Sequence, residues 1–571
     1  MPRRKVVFLS VMIALSVYLG VLLFTGSVVA TGPQVRTQIG ILEGFTHENS
    51  DGSKVDVFLG VKYAQAGRFQ KPMPYPEVTG VVKATTFGPS CWPQEVLPSR
   101  SNAAEGPEFA EDCLYLNIIK PSEKPKNPNG YPVLVYIHGG GFVRGDARDW
   151  GYKSLAEKFA SKGIIVVTIQ YRLGPFGFFA SNTTDIPTNL GLFDQMYALF
   201  FLNQILPNFN GNPYELTVLG HSAGAAGAHA LAISPQAGGL FTRIIQLSAS
   251  LFSTWAIGED VIAESLSLAE RLGCPNNPKL RDCLEAKPVE AWMAAMKEVT
   301  YGRPSVAEFR FHPKLDDSFL PFSLEELSND APAVPILFGL TDAEWVQIVN
   351  EPYMDIRPMR VPDADRADFN KEKLLAYFDR ILFKGPDDPL KPLIEEYIDS
   401  SGLETPNDYL KKASEIISDV MFNIPVINQI QHRIKSKQET YLFYETFANP
   451  DVRASDKASF GVPHGNELAY LFPAERSNEP FTKEDILVQD ALIDAIVSFV
   501  KTGKPKSGNL SWPQVGSTLK HVLLTPDLKV NNEYEPARTK FWTKTLPSRL
   551  SLEALRKHLP FAQKYDTKTE L

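Results

Sequence analysis

Cysteine is scarce. The 571 residues contain four, and no two stand in a C-x-x-C spacing. That excludes the short paired-cysteine sites that hold structural zinc. Neither sign of charge dominates. Lys and Arg number 58 against 66 Asp and Glu, a net charge of −8, so the basic excess of a nucleic-acid binder is missing. No segment repeats and none is of low complexity, which leaves solenoids and linker-rich arrays aside. After residue 30 no apolar run is long enough to cross a bilayer.

What is present is a chain able to bury a large core, 44% hydrophobic. Its N-terminus has the build of a targeting segment. Arg3, Arg4 and Lys5 precede an apolar run over 6–30, and Val28 and Ala30 fit the small positions of a signal-peptidase site. Residues 1–30 are therefore expected to be a cleaved signal. The alternative is an uncleaved anchor, which would add the membrane as a partner. Either way the body enters the lumen, because the positive end stays cytoplasmic. An oxidising compartment permits disulfides among Cys91, Cys113, Cys274 and Cys283. Local pairing is the simplest of three connectivities, and sequence alone does not choose. Closing the first loop would stabilise by roughly 3 kcal/mol. Sequons at Asn182 and Asn509 are candidate glycan sites.

Short β-branched runs bounded by turn residues predict buried strands at 133–138, 163–171, 216–219, 243–248 and 335–340. Helical stretches at 151–162 and 190–206 alternate with them. That alternation predicts a mostly parallel sheet with helices on both faces. Residues 361–436 read as helical cover for one end of the sheet. Since core-like runs resume after it, 31–567 is read as a single domain.

The strongest chemical signal is Gly220-His221-Ser222-Ala223-Gly224, between a predicted strand and an Ala-rich helix start. A serine on such a sharp turn needs small neighbours, and the turn lifts its hydroxyl above the sheet. A second signal, His138-Gly139-Gly140-Gly141-Phe142, follows another strand. Its glycines let backbone N–H groups approach a ligand, and with the N–H of Ala223 they can bind an oxyanion. A hydroxyl nucleophile needs a base. His464, late in the chain and on a loop, fits the order serine, acid, histidine. His138 and His221 read as structural neighbours of the motifs. His432, His521 and His558 are expected to face solvent. The acid is Glu344, just beyond the strand at 335–340, with Asp342 as its rival.

The chain resembles the type-B carboxylesterase/cholinesterase family. The resemblance is carried by Glu111-Asp112-Cys113-Leu114-Tyr115-Leu116-Asn117, Tyr171-Arg172-Leu173-Gly174-Pro175-Phe176-Gly177 and Gly191-Leu192-Phe193-Asp194-Gln195, and extends over nearly all the chain after residue 36. It implies an α/β-hydrolase fold, with a central mostly parallel sheet and helical cap insertions. It also implies a triad of Ser222, Glu344 and His464, and an oxyanion hole of Gly140, Gly141 and Ala223. Disulfides Cys91–Cys113 and Cys274–Cys283 follow from it, as does an acyl pocket with Phe309 and a small residue, Ala307. The implied activity is hydrolysis of carboxylic esters through an acyl-enzyme, with an ester as partner and no cofactor or metal. His221 stands where the family often has Glu, and Trp345 follows the acid where Gly is usual.

Two other readings share the fold. A non-catalytic adhesion protein would typically have lost the nucleophile, which this chain keeps. A cholinesterase would stack its cation on a tryptophan inside the Cys91–Cys113 loop, whose one tryptophan is Trp92, beside the cysteine. The ending Lys568-Thr569-Glu570-Leu571 resembles KDEL-type retention tails. Residues 568–571 are therefore expected to engage a retention receptor and keep the enzyme in the endoplasmic reticulum lumen, the alternative being secretion.

Overall fold

The computed structural model describes residues 32–92, 108–181, 183–298, 305–306, 309–346, 359–449, 460–473 and 481–559. The N-terminal segment, Asn182, Ala307 and the C-terminal tail lie outside them. Among the described residues the centre is an eleven-stranded sheet. Its strands in chain order are β1 (Phe45–Glu48), β2 (Lys54–Lys62), β3 (Tyr115–Pro121), β4 (Tyr131–Ile137), β5 (Ile165–Ile169), β6 (Gly211–His221), β7 (Arg243–Leu247), β8 (Ile336–Thr341), β9 (Thr440–Glu445), β10 (His521–Leu524) and β11 (Lys529–Asn531). The spatial order is β11-β10-β9-β8-β7-β6-β4-β5-β3-β2-β1. The seven strands from β10 to β5 are parallel. The edges, β1 to β3 and β11, are antiparallel. This is the α/β-hydrolase architecture.

The sheet divides the interior into two cores, and strand alternation does the dividing. In β4, Val133, Val135 and Ile137 enter one core, while Leu134 and Tyr136 enter the other. In β7, Ile244 goes one way and Ile245 and Leu247 the other. Because both faces are covered, these strands read as continuous apolar runs. Helices α1 (Lys153–Lys158), α2 (Leu190–Ile205), α3 (Ala223–Ile233), α4 (Pro406–Ser418), α5 (Ile424–Lys435), α6 (Asn466–Leu471) and α7 (Lys483–Thr502) pack around it. Leu192, Leu199 and Leu202 of α2 join the first core; Val488, Leu492, Ile496 and Phe499 of α7 join the second.

The sequence signatures serve as structural clips. Arg172 and Asp194 form a buried bidentate pair, Nε to Oδ2 and Nη2 to Oδ1 both at 2.7 Å, that ties the loop after β5 to α2. Asn117 of β3 accepts from the Gly60 N–H at 2.9 Å and donates to Thr168 Oγ1 at 2.9 Å, which locks β3 between β2 and β5. Disulfides join Cys91 to Cys113 and Cys274 to Cys283. Asn509 is exposed on the turn between Lys506–Ser507 and Leu510–Ser511. Among the described residues no helix is long and apolar enough to cross a membrane.

Three histidines expected at the surface are buried instead. His432 Nε2 lies 2.9 Å from Asn329 Oδ1, His521 Nδ1 lies 2.9 Å from the Leu519 carbonyl, and His558 Nε2 lies 3.0 Å from Asp388 Oδ1. Each ring turns in to a partner, from a distant segment for His432 and His558 and two residues back for His521.

Candidate active site

The chemistry-bearing groups gather at the carboxyl ends of β4, β6, β7, β8 and β9, the edge where parallel sheets place their sites. Ser222 follows β6 directly and opens α3. Its φ is +54°, a strained value for a residue with a side chain. The turn leaves no room beside it: a Cβ on Gly220 would lie 2.2 Å from the Gly224 carbonyl oxygen, and one on Gly224 would lie 2.1 Å from that of Ile137. The Ser222 N–H donates to the Leu247 carbonyl at 2.9 Å, and its own carbonyl accepts from Ala225 and Ala226. The elbow is thus held by β7 on one side and by its helix on the other.

The glycine loop after β4 presses against this elbow. A Cβ on Gly139 would come within 2.9 Å of Ser222 Cβ. Gly140 and Gly141 both have positive φ, and a Cβ on Gly141 would overlap the Phe309 ring at 2.4 Å. Among the described residues no acceptor is paired with the Gly140 or Gly141 N–H. His138 anchors the loop by stacking on Tyr171, ring centroids 4.4 Å apart, and its carbonyl accepts from the Tyr171 hydroxyl at 2.9 Å. Burial depresses the His138 pKa, which keeps that ring neutral.

Glu344 is fully buried three residues past β8. Its Oε1 accepts the Thr341 N–H at 2.8 Å, and its Oε2 lies 2.7 Å from His464 Nδ1. The His464 main-chain N–H also reaches the Glu344 carbonyl at 3.2 Å. Burial pushes the Glu344 pKa up, opposed by the Thr341 hydrogen bond. Asp342 faces the other way. It accepts from the Val462 N–H and takes no part in the His464 contact.

Several residues at this site lie outside the sequence motifs. Glu467, in the first turn of α6, is buried; its Oε1 accepts from Ser248 Oγ at 3.3 Å and lies 3.8 Å from His221 Nε2. Burial first, and then the nearby Glu344 charge, hold its carboxyl protonated to higher pH. Its position three residues beyond His464, where a loop turns into a helix, was the available clue. His221 sits 4.6 Å ring-to-ring from His464, so it is a neighbour of the site as well as of the motif. Trp255 and Phe422 complete an aromatic wall: Trp255 meets Phe309 edge-on at 5.5 Å, and Phe422 lies 4.7 Å from the His464 ring. Ala307 lies outside the described residues.

A serine on a strained strand-to-helix turn, a glycine loop against it, and a histidine paired with a buried carboxylate stand at one edge of an α/β-hydrolase sheet. A family model described as the Carboxylesterase family matches residues 31–542. Gut esterase 1 of Caenorhabditis briggsae is 34% identical over 504 residues, 85% of this chain and 87% of that protein. A carboxylic ester hydrolase of Bombus ignitus is 27% identical over 89% of this chain and 93% of its own length. Carboxylesterase 3 of Homo sapiens is 28% identical over 91% and 93%. The chain belongs to the carboxylesterase family and is a carboxylic ester hydrolase.

Proposed function

We propose that hydrolysis runs through an acyl-enzyme on Ser222, with His464 as general base and Glu344 as the orienting anion. The observation that carries this is the 2.7 Å contact between His464 Nδ1 and buried Glu344. With Nδ1–H donated to the carboxylate, Nε2 is left as the base that takes the serine proton. As Ser222 Oγ adds to the ester carbonyl, the oxygen becomes an oxyanion that the N–H groups of Gly140, Gly141 and Ala223 receive. His464 returns its proton to the departing alcohol, and water then repeats the sequence to free the acid. Ser222→Ala should lower kcat by about a millionfold, as expected when three groups act as a unit. An organophosphate should label Ser222 in the unmodified enzyme. Retention of a tenth of the activity by the alanine variant would transfer the nucleophile's role elsewhere.

The acyl side of the site is assigned to Phe309, against which Trp255 packs edge-on, and to the small residue Ala307 of the same sequence segment. Butyrate or longer esters should be cleaved at least as fast as acetate, since each buried methylene gains about 0.8 kcal/mol. The carboxylesterase family is generally secretory or lumenal, and the two disulfides fit that compartment. Within it, we assign residence to the endoplasmic reticulum lumen, through the tail at 568–571 and its receptor, with glycans on Asn182 and exposed Asn509.

A further inference from the structure

Helices α4 and α5 run on without a break, but they are joined by a wide turn, Asp419–Asn423, with i to i+5 bonding and all five residues buried. Such turns recur at functional sites. The cause is local. Pro425 has no N–H, so the Met421 carbonyl four residues back lacks its ordinary helical donor. That carbonyl accepts the Trp255 indole N–H instead, at 3.0 Å. The neighbouring residues of the turn point at the same centre. Ser418 Oγ accepts the Trp345 N–H at 2.8 Å, immediately after Glu344. Phe422 packs on His464, on Trp345 at 5.1 Å and on Trp255 at 5.7 Å. One turn therefore touches the aromatic wall, the residue beside the acid and the ring of the base.

The far side of the turn is held by a distant part of the chain. Buried Asp419 receives Arg538 Nε at 3.2 Å and Nη2 at 2.5 Å, and the Trp542 indole N–H at 2.9 Å. Asn423 of the same turn adds a donor at 3.2 Å. A guanidinium fork and an indole on one carboxylate fix its position in two directions, which a point charge would not do.

We propose that Asp419, Arg538 and Pro425 are specificity-determining positioning residues: they fix the 419–423 turn so that Trp255 and Phe422 limit the length of acyl chain the site accepts. The proposal rests on the acyl-enzyme reading and deepens it. None of the three touches the ester; they act through Trp255 and Phe422. Arg538→Lys keeps the charge but loses the fork. Pro425→Ala restores a helical donor, which competes with Trp255 for the Met421 carbonyl, and trims only the buried pyrrolidine ring.

The test compares the unmodified enzyme with Arg538→Lys, Pro425→Ala and Phe422→Leu. Competent sites are counted by stoichiometric organophosphate labelling, and kcat and KM per site are then measured on 4-nitrophenyl acetate, butyrate and hexanoate. Each variant should change the hexanoate-to-acetate ratio of kcat/KM by at least about fivefold, within the range one pocket contact commands. If a purely structural role held, fewer sites would label while the ratio per site stayed put. An unchanged ratio in Pro425→Ala and Phe422→Leu overturns the proposal even if Arg538→Lys does not fold. Failure of the unmodified enzyme to label at Ser222 would instead overturn the acyl-enzyme reading beneath it.

Discussion

Two carboxylates stand two residues apart after β8, and burial treats them differently. Glu344 is sealed against His464, whereas Asp342 is half-buried and spends its charge on the Val462 N–H. Burial pushes the Asp342 pKa up to about 6, above its value of about 3.9 in an unfolded chain. Between those values the native state holds a proton that the unfolded state has released. The stabilisation is therefore full below about pH 4 and is lost as pH rises through about 6. Asp342→Asn keeps the acceptor and removes the charge. It should be about 1–2 kcal/mol more stable than the parent at pH 7, discounted for partial exposure, and equal to it near pH 4. Thermal unfolding across that range checks this. Glu344→Gln should fold but lose kcat by about 10⁴-fold, because His464 loses the anion that holds its tautomer. The same assay on Asp342→Asn should show far less loss. From sequence both acids lay in reach of the role, since which one faces His464 depends on a loop more than a hundred residues further along the chain.

At the scale of elements, the glycine loop after β4 is shaped by its contacts. Gly141 has φ +62° and no space for a Cβ, because the Phe309 ring occupies it. Gly141→Ala should displace that ring and one N–H donor together. We expect kcat to fall about 100-fold or more, the cost of one oxyanion donor, with chain-length preference altered as well. Steady-state kinetics on the ester series measure both. The buried strands were legible because their two covered faces make them continuous apolar runs. Their limits were less so: β6 extends over Gly211–His221, well before the expected 216–219, through a polar stretch that only pairing with β4 makes a strand. The helical cover at 361–436 was readable from composition. The wide turn inside it was not, since a proline in a helical pattern predicts a break and says nothing of the indole that takes up the freed carbonyl.

For the whole molecule, the Arg172–Asp194 pair joins the loop after β5 to α2 in one body. Arg172 is nearly inaccessible to solvent, so Asp194→Ala would leave a buried guanidinium without its partner. A loss of about 3–5 kcal/mol is expected, read from denaturant unfolding. Residence is the other property at this scale. A receptor must find the C-terminus free, so deletion of residues 568–571 should release esterase into the medium at unchanged specific activity. Equal export of full-length and truncated forms would make the enzyme a secreted one.

The sequence by itself determined the fold class, the nucleophile candidate and the base candidate, because each is written in local pattern: apolar runs, a glycine-flanked serine, a late histidine set between Pro463 and Gly465 on a loop. It also held the signatures that mark the family, whose clips act over short stretches of sheet. Tertiary structure alone decided the rest. It brought Glu344 rather than Asp342 to His464, set Glu467 and Ser248 behind them, turned His432, His521 and His558 inward, and built a wall from Trp255, Phe309 and Phe422. Those outcomes depend on burial and, for all but His521, on contacts between segments far apart in the chain, whose partners no short window of sequence contains together.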